Sequence, residues 1–294
     1  MKNKYTYLVI AFLAIMTMNS CKKDSFNPTP ENVPIILEPV VPPQDLPDSN
    51  LVMGNPSSAT SDVNNFNNFL LKEGYYTVSY DRDRAIPNWV SWHLTASDLG
   101  TTPRQDDFRS NNNLPDGWYH VENFSYNGGG FDRGHMCPSA DRTSTVAANS
   151  STFLMTNIIP QAPVNNQVTW ATLEDYARSL VGQGNELYTI CGSYGVGGSG
   201  NAGPFDNINN GQVTVPSMLW KVIVVLPNGG DDLSRVSNST RVISVIMPNT
   251  NTVNSNWRTL RTTVDAIEAA TGYDVLSKVD PAIQAVIEAR VDNL

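Results

Sequence analysis

"FDRGHMCPSADRT", Phe131 to Thr143, carries one of only three histidines in a chain of 294 residues. His135 follows an Asp-Arg pair and a glycine, inside a run that mixes charges, glycine and small residues. A histidine packed into a core sits in an apolar run, whereas this setting is that of a site. Its imidazole can accept a proton from water at neutral pH. Arg133 offers planar donors that match a phosphate, and Gly134 lets backbone or ligand come close.

A second stretch, "TFLMTNIIPQAPVNNQVTWATLEDYARSL" (Thr152 to Leu180), completes the pattern. Leu173, Ala177 and Leu180 recur at helical spacing and mark a buried face. Trp170, Glu174 and Arg178 step by four, which sets a carboxylate and a guanidinium along the polar side. Asn166 is expected just ahead of this helix, at its N-terminal end. Taken singly, Glu174 and Arg178 read as a solvated pair worth about 0.2–0.5 kcal/mol, and Asn166 as a cap or turn residue. Their conjunction with "DRGH" points to chemistry.

Outward from these stretches, "YYTVSYD", "NWVSWHLT", "ELYTICGSYG", "SMLWKVIVVLP" and "RVISVIMP" read as strands bounded by Gly, Pro and Asn. Trp257, Leu260, Val264 and Ile267 suggest one helix stopped by Gly272. Another helix is expected from Asp280 as N-cap and Pro281 at its first position. Strands and helices without regular β-α alternation predict an α+β fold, with the folded domain at 62–294.

Ahead of it, Lys2 and Lys4 precede an apolar run from Tyr5 to Met18. That run is shorter than the roughly 18 apolar residues of a membrane span, so it reads as an export signal. "MNSC" resembles the end of a bacterial lipoprotein signal. The resemblance implies a signal peptide over 1–21, lipidation of Cys21, a membrane anchor, and an outer-membrane protein facing the surface or the periplasm. A plain secretory signal with an incidental cysteine is the alternative. Residues 22–61, with Pro28, Pro30, Pro34, Pro39, Pro42, Pro43, Pro47 and Pro56, read as a proline-rich tether without a core. Cys137 and Cys191 remain, and the sequence leaves open whether they pair.

The formal net charge is −9, which argues against a broad basic surface for nucleic acid. Acidic residues outnumber Lys and Arg even between Tyr75 and Gly182. "GVGGSG" (Gly195 to Gly200) fits a dinucleotide fingerprint only in its glycines, because no helix can open in "NAGPFDNINNG". "HMC" lacks a second ligand pair at zinc spacing, and His93 and His120 read as packing or surface residues without partners.

Together, "FDRGHMCPSADRT" and the Thr152–Leu180 stretch resemble the DNA/RNA non-specific endonucleases of the ββα-metal (His-Me finger) superfamily, the endonuclease G-like group. "VSWHLTASDL", "NELYTICGSYG", "VPSMLWKVIVVL" and "VDAIEAATGYDVLSKVD" extend the similarity over nearly all of the chain after the tether. The resemblance implies a ββα-metal nuclease fold, a central mixed or antiparallel sheet flanked by helices, and cleavage of DNA and RNA to 5′-phosphate and 3′-hydroxyl ends. It makes His135 the general base for water. It makes Asn166 the one direct ligand of a divalent metal, Mg2+ with Mn2+ as substitute, and Glu174 the holder of metal-bound water. Arg178 would sit on the scissile phosphate, with Arg104 in "TTPRQDDF" in a similar duty. Arg133 would contact substrate phosphate, Asp132 would support the metal waters, and Asn157 would order the site.

That chemistry is coherent by itself, since magnesium dehydrates reluctantly and takes few protein ligands. A homodimer and an accompanying inhibitor protein stay open. Rival readings are a phosphodiesterase for small or non-nucleic substrates and a catalytically silent envelope binding protein.

Overall fold

The computed structural model describes residues 49–294. β1 (Phe69–Lys72), β2 (Thr77–Asp81) and β3 (Ile86–Leu94) form a meander, after which a long segment carries β4 (Asp132–His135), α1 (Val146–Ser151), β5 (Ile158–Gln161) and α2 (Ala171–Gly182). β6 (Asn185–Tyr194) returns to the sheet. Two small ribbons follow, β7 (Gly198–Gly200) with β8 (Gly203–Phe205) and β9 (Asn207–Ile208) with β10 (Val213–Thr214). β11 (Met218–Pro227), α3 (Asp232–Arg235), β12 (Arg241–Pro248), α4 (Val264–Thr271) and α5 (Pro281–Ile287) complete the order.

The central sheet runs β1-β2-β3-β6-β11-β12 and is antiparallel throughout. All five strands read from the sequence lie in it, and the α+β class holds. Alternation along each strand feeds two cores. Leu219 and Ile223 of β11 enter the first, while Trp220, Val222 and Val224 enter the second. Against the second face pack Val264 and Ile267 of α4 and Ile287 of α5. Against the first packs a ββα unit. There β4 pairs antiparallel with β5, His135 opposite Ile158 and Gly134 opposite Ile159, and α2 buries Leu173, Ala177, Leu180 and Val181.

Gly134 is required by this pairing. A Cβ there would meet Gln161 Oε1 at 2.0 Å and Gln161 Cβ at 2.5 Å, and Gln161 is fully buried.

Three expectations are revised and one open question is answered. The signal and most of the tether lie outside the described residues, but 49–61 belongs to the fold. Leu51, Met53 and Ala59 are buried in the second core, and Trp89 Nε1 donates to Ser57 Oγ at 2.8 Å. The domain therefore begins before Asp62. Asn166 is not ahead of the helix but inside it, because Pro163 opens the helical run and the Asn166 amide donates to Ala162 O at 2.9 Å. The turn over Asn165–Trp170 is a wide π turn that runs directly into α2.

The helix expected through Trp257 and Ile267 is two pieces. A 3₁₀ turn spans Trp257–Leu260, Arg261 bridges to Val245, and Thr263 caps α4 by accepting from the Ala266 amide. Gly272, with φ of 76°, ends α4, and Asp280 with Pro281 opens α5 as expected. Finally, Cys137 and Cys191 are both free and buried. Cys191 Sγ lies 3.5 Å from Met136 O. No helix among the described residues is long and apolar enough to cross a membrane.

Gly134→Ala is expected to cost about 1–3 kcal/mol through overpacking against Gln161; a denaturant midpoint equal to wild type would contradict this reading of the ribbon.

Candidate active site

His135 ends β4 between two rings. The Phe153 ring stands edge-on at 4.8 Å between centroids, and the Phe108 ring is tilted at 5.3 Å. Nε2 is sealed from solvent and has no hydrogen-bond partner among the described residues. Burial, with Arg104 and Arg133 adding to it, pushes the imidazole pKa down to about 3. The ring is therefore neutral at physiological pH, as a proton acceptor must be.

What holds His135 in place is the backbone behind it. Asn157 is fully buried, and its side chain accepts from the Cys137 amide at 2.9 Å and donates to Cys137 O at 2.8 Å and Thr152 O at 2.9 Å. Its own carbonyl takes the Met136 amide at 2.9 Å. Asn157 thus fixes the two residues after His135 without reaching the cleft.

Asn166 is oriented by Asp132, whose Oδ2 accepts from Asn166 Nδ2 and from Gln167 Nε2, both at 2.8 Å. With its amide nitrogen committed, Asn166 Oδ1 is left without a hydrogen bond among the described residues, and Asn166 lines a recess of about 170 Å³. His135, Arg104, Arg133, Ser139 and Glu174 share that recess. One neutral amide oxygen beside one carboxylate is a sparse, oxygen-only donor set, suited to a hydrated hard cation. The residues present fit such an ion.

Glu174 does not pair with Arg178. Its Oε1 lies 3.2 Å from Nζ of Lys221, a β11 lysine buried beneath the ring of Trp170, whose centroid is 4.1 Å away. Burial pushes the Glu174 carboxyl up, and Lys221 opposes that rise. Arg178 reaches Asp141 Oδ1 at 2.8 Å and Asp175 Oδ1 at 2.5 Å. Asp141 is itself buried and accepts from Trp92 Nε1 at 3.0 Å. Two carboxylates hold Arg178 outside the recess lining, so this geometry does not place it on a phosphate.

The guanidinium edge of the cleft comes from Arg104 and Arg133. Arg104 donates to Ser139 Oγ at 2.8 Å and Asp106 Oδ1 at 2.6 Å, and Arg133 lies 4.1 Å from the centre of the Phe108 ring. Both also line an outer cleft of about 510 Å³ with Asp132, Asn166 and Phe124, whose ring is 62% exposed.

Of the residues singled out in the sequence, His135, Asn166, Glu174, Arg104 and Arg133 therefore meet at one recess. Asp132 and Asn157 stand behind them, and Arg178 is turned aside. Lys221, Asp141, Phe108 and Phe153 were missed. A lysine inside the apolar run "SMLWKVIVVLP" was the one available signal. His93 does have partners: it stacks on Tyr188 and lies 3.0 Å from Glu186 Oε2.

The DNA/RNA non-specific endonuclease family model matches residues 54–282. A nuclease from Nostoc sp. (strain PCC 7120) is 47% identical over 243 residues, covering 83% of this chain and 86% of its own length. Nuclease C1 from Cunninghamella echinulata var. echinulata is 31% identical over 241 residues, or 78% and 89% of the two chains. A chain in the solved EndoG/EndoGI complex superposes with a TM-score of 0.63, at 23% identity over 79% of this chain and 91% of that one. At that identity the likeness speaks for the fold alone.

The His135 ring protons are expected to show no titration between pH 8 and 5 in the metal-free protein by NMR, because the ring is neutral until about pH 3. A midpoint near 6.5 would show that burial and the two arginines do not act on it as described.

Proposed function

Because the chain belongs to the DNA/RNA non-specific endonuclease family, and so is a phosphodiester-cleaving nuclease, we propose that the bond is broken in the recess shared by His135 and Asn166. The observation that carries this is their convergence, one from β4 and one from the π turn, on a pocket edged by Arg104 and Arg133.

With Nε2 sealed, Nδ1 is the nitrogen left to take a proton from water. The attacking oxygen then stands in line with the departing 3′ oxygen, leaving 5′-phosphate and 3′-hydroxyl ends. Arg104 and Arg133 hold the phosphate and gain strength as its charge grows. Their neutralisation by the phosphate also relieves two of the influences that depress His135, so substrate raises the basicity of its own base. Asn166 Oδ1 would hold the divalent ion directly and Glu174 through water, with Mg2+ preferred and Mn2+ as substitute. That ion supplies Lewis-acid stabilisation of the phosphate and leaving-group charge. Phe124 offers an exposed face on which a base can stack irrespective of sugar or sequence.

The reading extends to location. Cys21 is taken as the lipidated residue of an outer-membrane protein, supported by "MNSC" and the basic start followed by an apolar run.

On plasmid DNA and on RNA alike, His135→Ala should lower kcat by roughly 10²–10⁴, and Asn166→Ala should move the magnesium titration to higher concentration. Near wild-type turnover in the first variant, or an unchanged titration in the second, would remove that residue from its role. Separately, Cys21→Ala should release the protein from the membrane fraction of the expressing cell; retention there would refute the anchor.

A further inference from the structure

On the opposite face of the sheet from His135, the ends of α4 and α5 gather Asp265, Glu268 and Glu288. One carboxylate oxygen from each lies within 4.8 Å of the other two. Glu288 is 94% buried, being 6% exposed. Its carboxylate makes no hydrogen bond among the described residues, and Oε1 is sealed from solvent.

Nothing described neutralises the cluster. None of the three is in an ion pair, and Asp274 adds a further negative charge nearby. The arginines nearest in sequence are engaged elsewhere, Arg261 with Leu294 O and Asp292, and Arg290 with Asn238 O and Thr240 O. Glu268 spends one oxygen on the Val275 amide at 2.7 Å, and Asp265 stays exposed, leaving a mouth toward solvent. By contrast, the comparable cluster of His93, Glu186 and Asp232 already holds the Arg235 guanidinium between its carboxylates. There a cation is built in.

A buried carboxylate facing two others without hydrogen bonds is costly in its charged form, and burial with its acidic neighbours pushes the Glu288 carboxyl up to about 7, so it takes either a proton or a cation. Three protein carboxylates within 4.8 Å of one another form an oxygen-only set that suits calcium, which takes several carboxylates in flexible geometry, better than magnesium, which keeps several waters and takes one or two carboxylates. We propose that Asp265, Glu268 and Glu288 form a calcium site, separate from the catalytic one, that fastens the end of α5 to the start of α4. The backbone already joins them here, since Glu288 O accepts the Val264 amide at 2.9 Å and the Asp265 amide at 3.3 Å. A cation adds a second fastening between the same two turns.

The test uses the full chain carrying Asn166→Ala, so that an ion at the catalytic recess does not contribute, stripped of metal and scanned for thermal unfolding. Millimolar calcium chloride should raise Tm by about 5 °C or more, and Glu288→Gln in the same background should abolish that shift. If Glu288→Gln does not fold, Asp265→Asn, at an exposed position, should weaken calcium affinity at least about fivefold. No calcium-dependent shift, or an equal shift in the substituted proteins, would overturn the site. A magnesium shift as large as that with calcium would overturn the choice of ion.

Discussion

The recess shared by His135 and Asn166 stands on one close approach, that of Gln161 to the bare backbone of Gly134. Because no side chain intervenes, β4 and β5 lie tight against one another and Gln161 remains inside. From there its Nε2 donates to Asn165 Oδ1 at 2.7 Å, and Asn165 Nδ2 donates to Pro248 O at 2.8 Å at the end of β12. The ribbon, the π turn and the central sheet are thus tied through two amides. Asn166 is the next residue along, so its position relative to His135 is set by contacts among its neighbours. The tie through Asp132 only turns its amide to the useful side.

An acidic protein that cuts a polyanion has to concentrate its positive charge. Here the concentration is done by subtraction. Arg178 is cancelled by Asp141 and Asp175, and Lys221 by Glu174, beneath the aromatic floor of Trp92 and Trp170. Arg133 is left at the opening with no carboxylate in salt-bridge reach among the described residues, and Arg104 stands beside it, paired only with the exposed Asp106. The paired charges lie in the floor, whereas those at the rim face the cleft that we propose takes the phosphate.

Much of this was legible in the sequence because the chemistry is local. "DRGH" is a strand whose last residue is the proposed base, and the four-residue steps after Asn166 put Glu174 on the side of α2 that faces the recess. The five long strands declared themselves through apolar composition. What stayed hidden depends on partners distant in the chain. The spacing of Glu174 and Arg178 invited a pair, but Lys221, 47 residues away, and Asp141, 37 residues away from Arg178, compete from buried positions where ion pairing is stronger. Residues 49–61 looked like spacer because they continue a proline-rich run and hold Pro56, while Leu51, Met53 and Ala59 have no period to betray them. The break after Leu260 was concealed by a hydrophobic spacing that two caps and the Arg261–Val245 bridge override.

The two buried thiols carry a last consequence. Cys137 and Cys191 sit behind the base with their sulfurs unlinked, and burial pushes the Cys191 thiol up to about 12 and raises that of Cys137 as well. Neither forms the thiolate that oxidants and soft metals attack. The catalytic domain therefore asks nothing of a disulfide-forming machinery. Among the described residues no disulfide braces the fold, so a reductant finds no bridge there to break.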